Sequence, residues 1–161
     1  MADFDPAVAK TLIREGGARF TDNPDDRGGA TKYGISQRAY PGVDIPSLTE
    51  EQAKAIYKQD YWDKVSGDKV KSQAVAENIF DTAVNMGATT ATKLVQLTLE
   101  VGVDGKFGPD TLKAVNAAGE KEFLAEFTLA KVARYATICN RDRRQSKFLL
   151  GWINRSLGGT A

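Results

Sequence analysis

The strongest constraint in this 161-residue sequence is a helical grammar: apolar residues recur every three to four positions, in runs opened by capping residues and closed by glycine. In "LTEEQAKAIYKQDYWDKV", Thr49 and Gln52 carry a capping-box signature, and Ala53, Ile56, Tyr57 and Tyr61 fall on one face. "SQAVAENIFDTAVNMG" aligns Val75, Ile79, Phe80, Ala83 and Val84 and stops at Gly87. Asp5 before Pro6 reads as an N-cap, so a short helix over Ala7 to Glu15 is expected, stopped by Gly16 and Gly17. Beyond Gly87, helices are expected over 93–101, from Pro109 onward, over 120–140 and over 147–157. The predicted fold is mainly α: two helical lobes, 1–87 and 88–161, packed as one unit. Between Phe20 and Ile35 a glycine-rich stretch interrupts the helices, and residues 16–36 are expected to form a loop or a small β-hairpin.

Composition matters here mainly through what is missing. There is no histidine, which removes His-based triads and the usual His-rich zinc sites. A single cysteine, Cys139, allows no internal disulfide, and its place in an apolar-periodic stretch (Val132, Tyr135, Ala136, Cys139) predicts a buried structural thiol. Carboxylates are left as the acid–base groups, and neither cofactor nor metal is expected. A net charge of +1 gives no general attraction to nucleic acid. The bases are unevenly spread: Arg134, Arg141, Arg143, Arg144, Lys147 and Arg155 face only Asp142 in the last stretch. The opening residues contain early acids and no apolar run of about 7–15 residues, so neither a signal peptide nor a membrane span is expected there.

Glu15 stands out. It shares a stripe with Val8 and Leu12, at i+7 and i+3, and lies at a helix C-terminus, where the macrodipole disfavours an anion. Burial and dipole both favour the protonated form, which suits a general acid. The alternative is a structural salt bridge to Arg14, Arg19 or Lys32. The glycines that follow either admit a bulky substrate or simply cap the helix. Asp22, Asp25 and Asp26 offer a second carboxylate, and glycoside hydrolysis needs such a pair flanking the scissile bond. Aspartates in "DNPDD" also suit ordinary turn chemistry. Thr31 can hold a water through its hydroxyl.

"EGG" followed by "DNPDDRGGATKYGIS" closely resembles the motif of the glycoside hydrolase family 108 muramidases, found in phage endolysins and bacterial secretion-activating proteins. "IYKQDYW" (56–62) and "FDTAVNMG" (80–87) are similar to its later motifs. "VDGKFGPDTLKAV" and "FLLGWINR" are similar to the peptidoglycan-binding half that follows it. The resemblance implies a lysozyme-like fold and hydrolysis of the β-1,4 bond between N-acetylmuramic acid and N-acetylglucosamine. Glu15 matches the family's essential acid, Asp26 its Asn-Pro-x-Asp aspartate, and Thr31 and Tyr33 its threonine and tyrosine. Two departures are visible. Ala18 follows the glycines, and Phe20 replaces the family tyrosine after a two-residue insertion, which alters the spacing from acid to aspartate.

The expected activity is therefore that of a phage-type endolysin, a muramidase acting on peptidoglycan glycan strands. Glu15, Asp26 and Thr31 are the catalytic candidates, with Asp25 and then Asp22 as further choices for the second carboxylate. Tyr33, Tyr61, Trp62 and Asn85 are the substrate-binding candidates. Tyr57, Tyr61 and Trp62 equally fit core packing at helical spacing, and Asn85 equally fits a helix-end turn. The last helix aligns Phe148, Leu149, Trp152, Ile153 and Leu157 beside Arg144, Lys147 and Arg155, a pattern suited to core packing or to contact with an anionic outer membrane. A monomer is expected, made in the host cytoplasm and reaching the wall through a separate pore. The rival readings are a lytic transglycosylase on the same bond and a non-catalytic wall-binding module.

Overall fold

In the computed structural model, which describes residues 1–22 and 29–158, the first helix opens at Asp3. The Asp3 carboxylate accepts the N–H of Asp5, and α1 runs Phe4–Arg14. The cap is thus two residues earlier than the Asp5-Pro6 pair suggests. Pro6 sits in the first turn, where its missing N–H costs nothing. By chain contacts the molecule divides into two units, Met1–Ala88 and Thr89–Ala161.

In the first unit α1 is followed by a hairpin of β1 (Thr31–Lys32) and β2 (Ile35–Ser36), paired antiparallel as Thr31 with Ser36 and Lys32 with Ile35. The turn residues Tyr33 and Gly34 have φ of 53° and 74°. Positive φ at both positions matches the right-handed twist of a two-residue hairpin. Thr21 bridges to Thr31, so the hairpin lies near the expected place but starts later than Phe20, which is exposed. Next comes α2 (Glu50–Tyr57), whose Thr49/Gln52 capping box is present in both directions. α3 (Gln73–Met86) is capped by Ser72 and ends at Gly87, where φ is 86°. Lys10 pairs with Glu77 at 2.6 Å and Arg14 with Asp81 at 3.0 Å, so α1 and α3 run side by side in the same direction.

Between α2 and α3 the chain passes through a π turn, Lys58–Trp62, in which the Asp63 N–H reaches back five residues to the Lys58 carbonyl. This corrects the expected face. In a regular helix Tyr61 would follow Tyr57 inward; the extra residue in the turn carries Trp62 there instead and leaves Tyr61 half-buried. Trp62 is wholly enclosed, 5.5 Å from Phe80 and 5.6 Å from Phe4 by ring centroids. Its indole N–H donates to Asp68 at 2.6 Å. Gly67 lies flat against the indole: a Cβ there would come within 2.3 Å of the ring. Val8, Leu12, Ile45, Val65, Val70, Ile79 and Phe80 fill the rest of this core.

The second unit holds α4 (Ala88–Thr98), α5 (Pro109–Ala117), α6 (Glu120–Arg141), a 3₁₀ turn (Arg143–Phe148) and α7 (Leu149–Ser156). α4 starts at Ala88, five residues earlier than the expected start at Lys93, its first turn being built from alanines and threonines. It ends with Glu100 at φ 53° and the Val101 N–H on the Gln96 carbonyl, a Schellman arrangement without the usual glycine. Gln96, 1% exposed, organises the "GVDGKFGP" turn: its amide NH₂ faces the Asp104 carboxylate, the Lys106 carbonyl and the Thr111 hydroxyl, while its oxygen accepts the Gly105 N–H. Proline starts α5 as expected. On α6, Phe123, Phe127, Lys131, Tyr135 and Cys139 form a buried stripe at four-residue spacing, so Cys139 is the enclosed thiol the sequence predicts. On α7 the stripe residues Leu149, Trp152 and Ile153 are half-buried and Trp152 stacks on Tyr135 at 5.0 Å, while Leu150, off the stripe, and Phe148 and Leu157, which flank the helix, are 72%, 46% and 60% exposed.

Candidate active site

Glu15 is the C-cap of α1. The Gly16 N–H bonds the Ile13 carbonyl at 3.2 Å and the Gly17 N–H bonds the Leu12 carbonyl at 2.8 Å, the two bonds of a Schellman motif. Gly16 and Gly17 have φ of 89° and 58°, and a Cβ on either would meet open space. These glycines are therefore explained by backbone conformation: they end the helix sharply and hold the half-buried Glu15 at its last turn.

The hairpin then locks against that end. The Tyr33 N–H donates to the Gly17 carbonyl at 3.1 Å, and the Tyr57 hydroxyl donates to the Tyr33 carbonyl at 2.9 Å in a buried bond. Gly34 fits between Glu15 and Tyr57. A Cβ added to it would lie 2.7 Å from Glu15 Cβ and 2.7 Å from Tyr57 Oη. The stem of the carboxylate is thus wedged by a backbone turn that only glycine can make at this distance. Arg14 is bridged to Asp81, and Lys32 Nζ donates to the Pro46 carbonyl.

Thr31 stands on β1, its backbone paired with Thr21 in both directions at 2.8 and 2.9 Å and its hydroxyl donating to the Gly29 carbonyl at 3.2 Å. The same strand leads directly into the turn that touches Glu15, so Thr31 and Glu15 belong to one assembly. Asp22 is described and exposed. Asp25 and Asp26 lie in 23–28, outside the described residues; their flanks, Thr21 and Thr31, are hydrogen-bonded to each other.

The binding candidates separate. Tyr61 is half-buried, with its ring 5.8 Å from Tyr57, and Asn85 is exposed on the last turn of α3. Tyr33 is 8% exposed; its carbonyl and N–H hold the hairpin, and Lys32 Nζ lies 5.6 Å above its ring. Trp62 must be corrected from binding to core, because an indole with no exposed surface offers no face to a sugar. Two features escape a sequence reading: the bond by which Tyr57 fastens the hairpin, and the pair Tyr40 and Asp60. The Tyr40 hydroxyl donates to the Asp60 carboxylate at 2.7 Å, and burial together with that carboxylate pushes the phenol well above its ordinary range. Nothing in the sequence signals a bond across twenty residues. Among the described residues no group of His, Cys, Asp and Glu could hold a metal ion, and no helix is long and apolar enough to cross a membrane.

Comparison with known proteins now adds to the geometry. Residues 8–87 match the model of the glycosyl hydrolase 108 family, and residues 88–157 match that of a predicted peptidoglycan domain. The solved structure of Brucella abortus SagA aligns with a TM-score of 0.73 at 29% identity, over 96% of this chain and 94% of that one. No curated protein matches the chain. The mainly helical architecture with a small hairpin is the lysozyme-like fold that the motifs implied, and the two family matches together cover nearly all of the sequence. The chain belongs to glycosyl hydrolase family 108: it is a glycoside hydrolase that carries a peptidoglycan domain in its second half.

Proposed function

We propose that this hydrolase is an endolysin-type N-acetylmuramidase, cutting the β-1,4 bond from N-acetylmuramic acid to N-acetylglucosamine and so lysing a bacterial host. The observation that carries this reading is Glu15, held at a Schellman-capped helix end and wedged against the Tyr33-Gly34 turn, in a chain whose second half matches a peptidoglycan domain. Glu15 donates its proton to the leaving glycosidic oxygen. Asp26 activates the attacking water on the opposite face, and Thr31 helps to place that water. Carboxyl groups roughly 6.5–9.5 Å apart leave room for the water and give inversion at the anomeric carbon. The enzyme works as a monomer in the periplasm, beyond the inner membrane.

The test is mass spectrometry of the fragments released from purified peptidoglycan. Fragments ending in reducing N-acetylmuramic acid are expected. A 1,6-anhydro end would replace the hydrolase by a lytic transglycosylase, and a reducing N-acetylglucosamine end would overturn the bond assignment. The exposed Phe148, Leu150 and Leu157, close in sequence to Arg143, Arg144, Lys147 and Arg155, support a second contact, with an anionic outer membrane. Binding to vesicles of anionic but not zwitterionic lipid is expected, and equal binding to both would refute it.

A further inference from the structure

Beside the Glu15 assembly lies a polar cluster that the reaction above does not use. Tyr40 comes from the turns after β2, and Asp60 and Tyr61 come from the π turn. The segment carrying Tyr40 is fixed by Gln37, whose side-chain amide reaches the carbonyls of Tyr40, Pro41 and Val43 at 3.2, 3.2 and 2.9 Å. Tyr40 gives its only proton to Asp60 Oδ2, at 2.7 Å. The Tyr61 ring lies alongside, 5.8 Å from that of Tyr57 by ring centroids.

The Tyr40 donor is spent on Asp60 Oδ2, and Asp60 keeps acceptor capacity: Oδ1 has no hydrogen bond among the described residues. All three residues are half-buried, so they are ordered but reachable. The Tyr61 ring leans on Tyr57, and Tyr57 Oη flanks the same glycine as the Glu15 stem. A ligand that fits the Asp60 carboxylate and the Tyr61 ring brings a donor and a flat apolar face, which describes a pyranose with its hydroxyls and acetamido N–H. The π turn explains the placement: by sending Trp62 inward it turns Asp60 and Tyr61 to the rim.

We infer that Tyr40, Asp60 and Tyr61 form a saccharide subsite of the hydrolase, in which Asp60 accepts hydrogen bonds from a hydroxyl or acetamido N–H of an N-acetylated glycan unit and Tyr61 carries its apolar face. This rests on the muramidase reading for the identity of the sugar. The cluster acts on binding, and the bond-breaking step remains with Glu15.

Asp60→Asn is the discriminating substitution, because the amide oxygen still accepts the Tyr40 proton while its NH₂ can no longer accept from a sugar. Steady-state kinetics on soluble, peptide-free glycan strands should show KM raised about tenfold or more, the loss of one hydrogen bond to a charged group, with kcat within about threefold of wild type. Tyr61→Ala should raise KM similarly. Tyr40→Phe keeps the carboxylate and should raise KM less. Binding of the same strands to Glu15→Gln, with and without Asp60→Asn, should weaken by a similar factor, while thermal unfolding midpoints agree. Unchanged KM and unchanged binding in folded Asp60→Asn would overturn the subsite. If wild type leaves the β-1,4 bond intact but binding still depends on Asp60, the muramidase reading falls and the subsite stands. If hydrolysis is normal and Asp60 is irrelevant to both readouts, the reverse holds.

Discussion

Gly34 and Gly16 allow the wedge beside Glu15 to be tested by a pair of identical changes. Both residues have positive φ, 74° and 89°, so alanine at either position incurs a left-handed penalty of about 1–2 kcal/mol. At Gly16 that is the whole cost, since a Cβ there meets nothing within 4 Å. At Gly34 the new methyl lies 2.7 Å from both Glu15 Cβ and Tyr57 Oη, and relieving such overlap costs about a further 1–3 kcal/mol. Gly34→Ala should therefore lose about 2–5 kcal/mol in urea unfolding, against about 1–2 for Gly16→Ala. The functional difference should be larger. Relief requires the Glu15 stem or the hairpin to move, and a displacement of about 1 Å at a reacting group costs on the order of 100-fold in rate. Peptidoglycan turnover by the folded fraction should fall at least about tenfold for Gly34→Ala and stay within about threefold of wild type for Gly16→Ala. Equal stability losses with equal activity would refute the claim that Gly34 positions Glu15.

Other consequences follow from the same packing. Gly67→Ala, whose methyl would enter the indole of fully buried Trp62, should destabilise by about 3 kcal/mol and red-shift or broaden tryptophan fluorescence; a neutral result would mean that the ring shifts freely. Glu100→Gly should raise stability by about 1 kcal/mol in denaturant titration by relieving a left-handed residue at the end of α4, and a loss would contradict the Schellman assignment. The Trp62 indole N–H, followed by Lys58, holds the Asp68 carboxyl below its ordinary 3.8. A depressed pKa adds stability above that value and forfeits it as pH falls toward the folded value, so Asp68→Asn should flatten the acid limb of the stability profile below about pH 4. A limb as steep as that of wild type would remove Asp68 from the account. Proton NMR of the first-formed anomer should show inversion, and retention would move Asp26, or whichever neighbour serves, to the nucleophile's place.

Helix starts and stops that depend on neighbours in sequence were legible: the Thr49/Gln52 box, the stop at Gly87 and the proline start at Pro109 all have local causes. What resisted reading depends on tertiary demand. A 3.6-residue pattern cannot reveal one extra residue in a π turn, and that residue decides whether Tyr61 or Trp62 enters the core. Asp3 takes the cap from Asp5 because its extended backbone lets the carboxylate reach the Asp5 N–H, and its own N–H is anchored on Gln73, seventy residues away. The end of α4 was misplaced because Glu100 does the work of a glycine. At the site, "EGG" correctly announced a capped helix ending on Glu15, but the glycine that presses on its side chain comes from the hairpin, and Tyr57 fastens that hairpin from α2.

In the proposed reaction Glu15 holds the proton delivered to the sugar bond. Clearing of outer-membrane-permeabilised Gram-negative cells by wild type and by Glu15→Gln, with circular dichroism establishing that both are folded, tests this role. Glutamine keeps the shape and the hydrogen-bonding reach of the side chain but has no acidic proton, so the account predicts clearing by wild type and a loss of at least about 100-fold in the variant. Equal clearing by a folded Glu15→Gln would contradict it and make Glu15 a structural acid.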